Sequence, residues 1–363
     1  MRAALLESPN TELKVVDDID IEAPGPGQIR VRVSNCGVCH SDLHVIDGGL
    51  PVPLPTVLGH EAGGTVEALG PGVLDLAEGD KVIMTLRPVC GRCYFCVRNQ
   101  PSLCAGPGGL MAMGPPPLSR GGSPVYPGIG MGAFAEQVVV YQNAAVKVPE
   151  DTPLEIACVI GCAVQTGVGA VLNTARVEPG ATVLVLGLGG VGMSIVQGAR
   201  IAGASQIIVS DPVAERRELA ARFGATAAID PGSQDVISAA MGHTGEIGVD
   251  YAFDAVGNPA LVEAGIGACR PGGTTVCVGV PKMTDTYSIS PALFFAMGEK
   301  KVTGCFLGSS NPQREFPRLL GLWRAGRLDL EGLVTARRPL DGINEAFADM
   351  KAGRGLRTVL DIG

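Results

Sequence analysis

Residues 182–203 read TVLVLGLGGVGMSIVQGARIAG: an apolar run, a glycine-rich turn, then a segment of helical period. Continuous Val and Leu without alternation is the pattern of a parallel strand buried on both faces. Gly187, Gly189 and Gly192 stand in G-x-G-x-x-G spacing between that strand and the helix. Gly187 permits the tight turn, Gly189 lets the backbone approach a pyrophosphate, and Gly192 allows close helix–strand packing. The helix start, with Gly190 and Val191, offers free N–H groups and positive dipole to phosphates. Asp211 ends the next apolar run, QIIVSD, 19 residues after Gly192. Its carboxylate can accept hydrogen bonds from ribose hydroxyls and would repel a 2′-phosphate, so NAD is expected rather than NADP.

Working outward, apolar runs alternate with helical stretches from 182 to 306: TVLVLG, QIIVSD, AAID, VDYAFDAVG, TTVCVGV and KVTGCFLG. Six short strands with crossovers predict an α/β, doubly wound parallel sheet. Residues 1–150 read differently. RVRVSNCGV alternates with period two, and GGTVEALGPGV and DKVIMTL are β-branched runs cut by Gly and Pro, which predicts a β-rich, barrel-like domain. Residues 105–130 hold 14 Gly or Pro in 26 positions and read as a shaped loop at a cleft. Residues 307–363 carry two helical stretches and an ending strand, LRTVLDIG.

Composition bounds the rest. With 363 residues, two domains are expected. A net charge of −8 argues against nucleic acid or an anionic membrane as the main partner. The N-terminal MRAALLESPN lacks the apolar stretch of an export signal, so a cytoplasmic location is expected. The 52 Gly and 27 Pro stay below the ~25–30% that marks disorder, and mean hydropathy of +0.28 permits a large core. Aromatic residues are only 4%, so that core is aliphatic.

Eleven Cys against four His is the unusual count. An odd number in a chain without an export signal points to thiolate–metal chemistry rather than a disulfide scaffold. Cys90, Cys93, Cys96 and Cys104 are close enough in sequence to surround one tetrahedral Zn²⁺ with every position filled, a structural site; an Fe–S cluster is the alternative. Cys39, His60, Glu61 and Cys162 form a looser set, suggestive of a second metal with an open position. Cys36, Cys158, Cys269, Cys277 and Cys305 sit in apolar runs and read as buried thiols. His243 reads as a surface loop residue, and Trp323, at helical spacing with Leu319 and Leu320, as packing.

Taken with GHEAGGTVEALGPGV, these motifs resemble the zinc-dependent medium-chain dehydrogenases, the alcohol dehydrogenase family, over essentially the whole chain. The resemblance implies a GroES-like catalytic domain, 1–163 and 307–363, and a Rossmann NAD-binding domain, 164–306. It implies two Zn²⁺ per chain. Cys39, His60 and Cys162 would be catalytic ligands, with Glu61 beside the metal and Asp42 orienting His60. Ser41 would take the proton from the alcohol and pass it through the nicotinamide ribose to His44. His40 and Arg357 would lie at the pyrophosphate and Arg216 at the adenosine ribose. Thr166 and Val191 would press on the nicotinamide, and Val256, Val278 and Val280 would line the cofactor cleft. Leu50, Leu86, Ile129, Val280 and Phe306 are implied pocket residues. A large aromatic often stands where Gly128 is, so a widened pocket and a preference for bulky primary or secondary alcohols are expected.

The run SPVYPGIGMGAF and the long 105–130 segment resemble the liver-type, class III-like long form, which implies a homodimer, with a tetramer as the alternative. That branch shares its motifs with thiol-dependent formaldehyde dehydrogenases. A zinc-free enoyl or quinone reductase would lack both cysteine sets, and a non-catalytic NAD-binding protein would not need a relay.

Overall fold

The computed structural model describes residues 1–108 and 115–363. They form two compact units: Met1–Ala163 with Asn311–Gly326 and Leu330–Gly363, and Val164–Ser310 with Arg327–Asp329. The second unit runs four residues beyond 306 because the turn Leu307–Ser309 is bonded to Asn173 and Thr174 of that same unit.

The first unit is built on two sheets. One runs in the order Lys14–Val16, Ala3–Leu6, Thr56–Val57, Ser123–Pro127, Leu118–Arg120, Asp20–Ile21. The other runs Ala145–Lys147, Lys81–Met84, Glu61–Leu69, Gln28–Gly37, Arg357–Asp361, Val334–Pro339, with Gln137–Tyr141 also paired to Gln28–Gly37. The alternation of Ile29, Val31 and Val33 buries one face of the long central strand in an aliphatic core shared with Leu5, Leu6, Val57 and Val82. Phe134 and Phe347 meet edge to face in that core, with centroids 6.2 Å apart.

Two expectations need correction here. The 105–130 segment is not a loop throughout: Leu118–Arg120 and Ser123–Pro127 pair antiparallel across Gly121 and Gly122. Both glycines have positive φ (55° and 78°), the conformation a two-residue hairpin requires. Residues 109–114 of that segment lie outside the described residues. The C-terminal stretch holds a second strand, Val334–Pro339, parallel to Arg357–Asp361.

The register of this sheet assembles the site. Gly37 pairs with both Glu61 and Val359. Cys39 lies two residues past Gly37 and Arg357 two residues before Val359, on antiparallel strands. Glu61, Cys39 and Arg357 therefore meet at one end of three neighbouring strands.

The second unit carries a six-stranded parallel sheet in the order Ala227–Ile229, Gln206–Ser210, Thr182–Leu186, Val249–Asp254, Cys269–Cys277, Lys301–Gly304. All six expected strands are present. Leu184, Leu186, Ile208, Ile229, Val249 and Ala252 form an aliphatic core. Strand order reverses between Thr182–Leu186 and Val249–Asp254, the switch point at which such sheets bind nucleotides. No single helix among the described residues is long and apolar enough to cross a membrane.

Of the five thiols read as buried, Cys36, Cys158 and Cys269 are, whereas Cys277 and Cys305 are half-buried at the ends of the last two strands of the parallel sheet. His243 ends the helix Val236–His243 rather than lying in a loop. Trp323 donates its indole N–H to Glu331 at 2.9 Å.

Candidate metal centre

Cys39, His60, Glu61 and Cys162 are all buried, and each offers one ligand atom within 4.8 Å of the others. Cys39 caps the helix His40–Ile46, while Glu61 begins a sheet strand and His60 stands directly before it. Cys162 follows the tight turn Cys158–Gly161, where a Cβ on Gly161 would sit 2.5 Å from the Met84 carbonyl oxygen. His60 Nδ1 lies 3.1 Å from Asp42 Oδ1, which also accepts the Gly59 N–H at 3.0 Å. A carboxylate on Nδ1 makes that nitrogen the donor and leaves Nε2 as the free lone pair. Nε2 is indeed buried without a hydrogen-bond partner. A buried imidazole nitrogen facing two thiols is costly unless something occupies the space between them. This donor set fits a Cys₂His zinc with Glu61 as a fourth donor within reach.

Arg357 is the counter-charge. Its side chain is 4% exposed, its Nη1 donates to the Val38 carbonyl at 2.7 Å, and its Nη2 lies 3.5 Å from Glu61 Oε1. It is therefore no solvated surface cation. Burial pushes the Glu61 carboxyl up to about 8, with the Arg357 charge pulling the other way. Burial likewise works against the charge of Arg357, but Glu61 and the Cys39 and Cys162 sulfurs outweigh it and raise its pKa. The Ala163 N–H donates to Glu61 Oε1 at 3.2 Å, whereas Oε2 has no partner. A Cβ on Gly37 would overlap Glu61 Oε2, so a larger residue there would displace the carboxylate.

The second cluster is Cys90, Cys93, Cys96 and Cys104, again with sulfurs within 4.8 Å of one another. Cys93 Sγ is 3.5 Å from Cys96 Sγ and 3.9 Å from Cys104 Sγ. A tetrahedron with metal–sulfur distances of about 2.3 Å has edges of about 3.8 Å, while a disulfide needs about 2.05 Å. The spacing fits a closed tetrathiolate zinc. Burial pushes the Cys104 thiol up, and backbone N–H groups of Cys90 and Gly106, donating to its Sγ at 3.3 and 3.4 Å, work against that rise.

On the dinucleotide turn, Gly187 has φ +92°. A Cβ on Gly189 would meet nothing within 4 Å, whereas one on Gly192 would overlap the Gly187 carbonyl. The helix Gly190–Ala202 starts directly behind Gly189. Asp211 is buried, and its carboxylate accepts the N–H groups of Leu188 at 2.7 Å and Val213 at 2.8 Å. It thus ties the glycine turn to the second strand as well as standing at the strand end. Asp254 braces the turn that follows its own strand, accepting from Val256 and Gly257 at 3.0 Å.

Two domain families match the chain: "Alcohol dehydrogenase GroES-like domain" over residues 25–150 and "Zinc-binding dehydrogenase" over residues 190–324. An alcohol dehydrogenase zinc-binding domain protein from Burkholderia ambifaria is 38% identical, with TM-score 0.93, covering 100% of this chain and 98% of its own. Benzyl alcohol dehydrogenase from Acinetobacter calcoaceticus is 31% identical, with TM-score 0.92 and coverages of 100% and 99%. The chain belongs to the zinc-dependent medium-chain alcohol dehydrogenase family. A zinc-binding dehydrogenase target from Sinorhizobium meliloti 1021, bound to NADP, is 28% identical, with TM-score 0.82 and 99% of each chain covered.

In this dehydrogenase Ser41 Oγ is 3.7 Å from Cys39 Sγ, and His44 follows on the same short helix, with both side chains half-buried and His40 exposed. Thr166 is buried with an unpartnered hydroxyl, and Arg216 is half-buried. Val256 and Val280 are exposed and Val278 is buried. Of the implied pocket residues, Leu50, Leu86 and Ile129 are half-buried in the first unit, and Phe306 is exposed in the second. The expectation for Gly128 is overturned. A Cβ there would stand 2.5 Å from Leu58 Cδ2 and 2.7 Å from Thr56 Oγ1, so a missing side chain opens no space at that point.

Sequence reasoning missed the Arg357–Glu61 contact and the structural hydrogen bonds of Asp211 and Asp254. A cation inside the apolar run LRTVL was the one available signal for the first.

Proposed function

We propose that this enzyme is an NAD-dependent zinc alcohol dehydrogenase, interconverting a bulky primary or secondary alcohol with its aldehyde or ketone. The observation that carries the reading is the convergence of Cys39, His60 and Cys162, with His60 Nε2 free and Nδ1 engaged by Asp42. These three would hold the catalytic zinc, with Glu61 in reserve, and the four clustered cysteines the structural one. When bound, zinc supplies Lewis acidity that eases loss of the alcohol proton, and NAD supplies the hydride acceptor. Ser41, beside the ligand Cys39, takes the proton, and His44, three residues along the same helix, hands it to solvent. Asp42 keeps His60 in one tautomer.

Asp211 supports NAD over NADP, because a carboxylate at that strand end repels a 2′-phosphate. Similarity to a benzyl alcohol dehydrogenase supports a bulky alcohol, now that Gly128 does not. A homodimer is supported by the second unit. Its strand Lys301–Gly304 forms the sheet edge, and Met283, Leu293, Phe294 and Met297 nearby are 63–75% exposed.

The test is metal content per chain together with an alcohol panel run with NAD and with NADP. Two zincs and NAD-linked oxidation of benzyl or longer alcohols, at higher kcat/KM than ethanol, is the expected result. Full activity with the Cys39–His60–Cys162 site empty of metal overturns it. Formaldehyde turnover that requires a low-molecular-weight thiol would replace the substrate assignment with the formaldehyde dehydrogenase one.

A further inference from the structure

The segment after the sixth parallel strand has an unusual backbone. Leu307, Gly308 and Ser309 are consecutively left-handed, with φ of 47°, 63° and 50°. Only Gly adopts that region freely, so two of the three residues are held there by their surroundings. What holds them is a π-helical turn, Ala170–Ala175, an element itself rare and concentrated at functional sites.

The clamp has three parts, all within the second unit. Asn173 Nδ2 donates to the Gly308 carbonyl at 3.2 Å and lies 3.4 Å from Ser310 Oγ. Thr174 Oγ1 lies 2.8 Å from Ser309 Oγ and 3.3 Å from Cys305 Sγ. Thr174 has one proton, so donation to Cys305 makes Ser309 the donor to Thr174, a directed chain across both ends of the turn. Beneath these bonds the backbones touch. A Cβ on Gly169 would stand 2.5 Å from the Gly308 carbonyl oxygen, and one on Gly308 would overlap the Gln165 carbonyl.

The turn follows the C-terminal end of the strand Lys301–Gly304, on the rim where doubly wound sheets bind their nucleotide. It lies on the half of the sheet beyond the switch point, the half opposite Asp211. We infer that Asn173 and Thr174 are positioning residues for the dinucleotide: through the left-handed turn 307–309 they set the cofactor wall made by residues 304–306. This rests on the NAD reading above. The two side chains touch no reacting atom. Their effect is to keep Gly304, Cys305 and Phe306 in the one conformation the cofactor meets.

The experiment is NADH binding, followed by nicotinamide fluorescence on zinc-replete protein, with zinc content and Tm measured in parallel. Thr174→Val removes the hydroxyl at nearly constant shape, and Asn173→Ala removes the amide. Each is expected to raise the NADH Kd at least tenfold with zinc content unchanged, while Thr174→Ser restores it to within threefold of the parent. Ser309→Ala, which breaks the same chain from the side of the turn, repeats the effect and decides the matter if either helix variant fails to fold. A parent-like Kd in Thr174→Val and Asn173→Ala, or equal loss in Thr174→Ser and Thr174→Val, overturns the inference while the NAD reading stands. A parent protein that binds no NADH overturns both.

Discussion

The Arg357 guanidinium lies 3.5 Å from the Glu61 carboxylate, both side chains being buried to 4% exposure or less. This is the only ion pair of Arg357 among the described residues, and the guanidinium also donates to the Val38 carbonyl. Removing the cation strands Glu61 and the neighbouring thiols without counter-charge. Arg357→Leu should therefore destabilise the first unit by about 3–5 kcal/mol in denaturant unfolding at pH 9, above the value of about 8 to which burial pushes Glu61 and where its carboxyl is ionised. Adding Glu61→Gln should recover part of that loss, because the stranded acid is then neutral. Additive losses in the double variant would show that the two side chains are not coupled.

The two ends of the glycine motif should separate under mutation. Gly192→Ala forces a Cβ into the Gly187 carbonyl, so it should lower Tm and NADH affinity together. Gly189→Ala meets nothing within 4 Å in the protein itself. Its Tm should stay within a few degrees of the parent while NADH affinity falls at least tenfold, the added methyl standing where the pyrophosphate approaches. A Gly189→Ala protein that binds NADH normally would refute the turn's assignment to phosphate.

Metal counting distinguishes the two cysteine clusters. Cys162→Ser should leave one zinc per chain, a near-parental Tm and alcohol oxidation reduced by three orders of magnitude or more. Cys96→Ser should also leave one zinc, but with a lowered Tm, since a closed tetrathiolate site contributes folding energy. Asp42→Asn should weaken retention of the catalytic zinc by about 10–100-fold against a competing chelator, through loss of the carboxylate on His60 Nδ1. Equal zinc stoichiometry in Cys96→Ser and the parent would count against the structural site.

Acid stability should depend on Asp250. Partial burial opposes its ionisation, but hydrogen bonds from the Thr182 N–H and hydroxyl at 2.7 and 2.8 Å, and from Arg270 at 2.6 Å, hold its carboxyl below the ordinary range. A depressed folded-state pKa contributes stability that is complete above the unfolded value of about 3.9 and is lost as pH falls through the lower folded value. Asp250→Asn should therefore cost about 1 kcal/mol at pH 7, the Arg270 side being partly exposed. It should also flatten the acid limb of a stability–pH profile below about pH 4. Parallel acid limbs in parent and variant would exclude the assignment.

Local chemistry is readable wherever neighbouring residues carry it together. The strand–glycine–helix run around Gly187, the alternation of Ile29, Val31 and Val33, and the spacing from Cys90 to Cys104 each sit within a short window. For these, period and spacing translate directly into geometry. Cys39, His60 and Cys162 are far apart in the chain, and without the family resemblance they remain a loose set. Their meeting depends on a register, Gly37 opposite both Glu61 and Val359, that no local pattern encodes. Gly128 misleads for a related reason: a missing side chain says nothing about space until Leu58 and Thr56 are seen to fill it.

Chain order and residue type were enough for the six parallel strands, the dinucleotide turn and the tetrathiolate cluster, because hydrogen-bonded periodicity and metal-ligand spacing are short-range properties. Long-range packing alone settled the pairing of Arg357 with Glu61, the free Nε2 of His60 and the clamp of Asn173 and Thr174 on a left-handed turn. Each of those depends on which buried polar groups are left facing one another once the sheets have closed, and burial is a property of the whole fold.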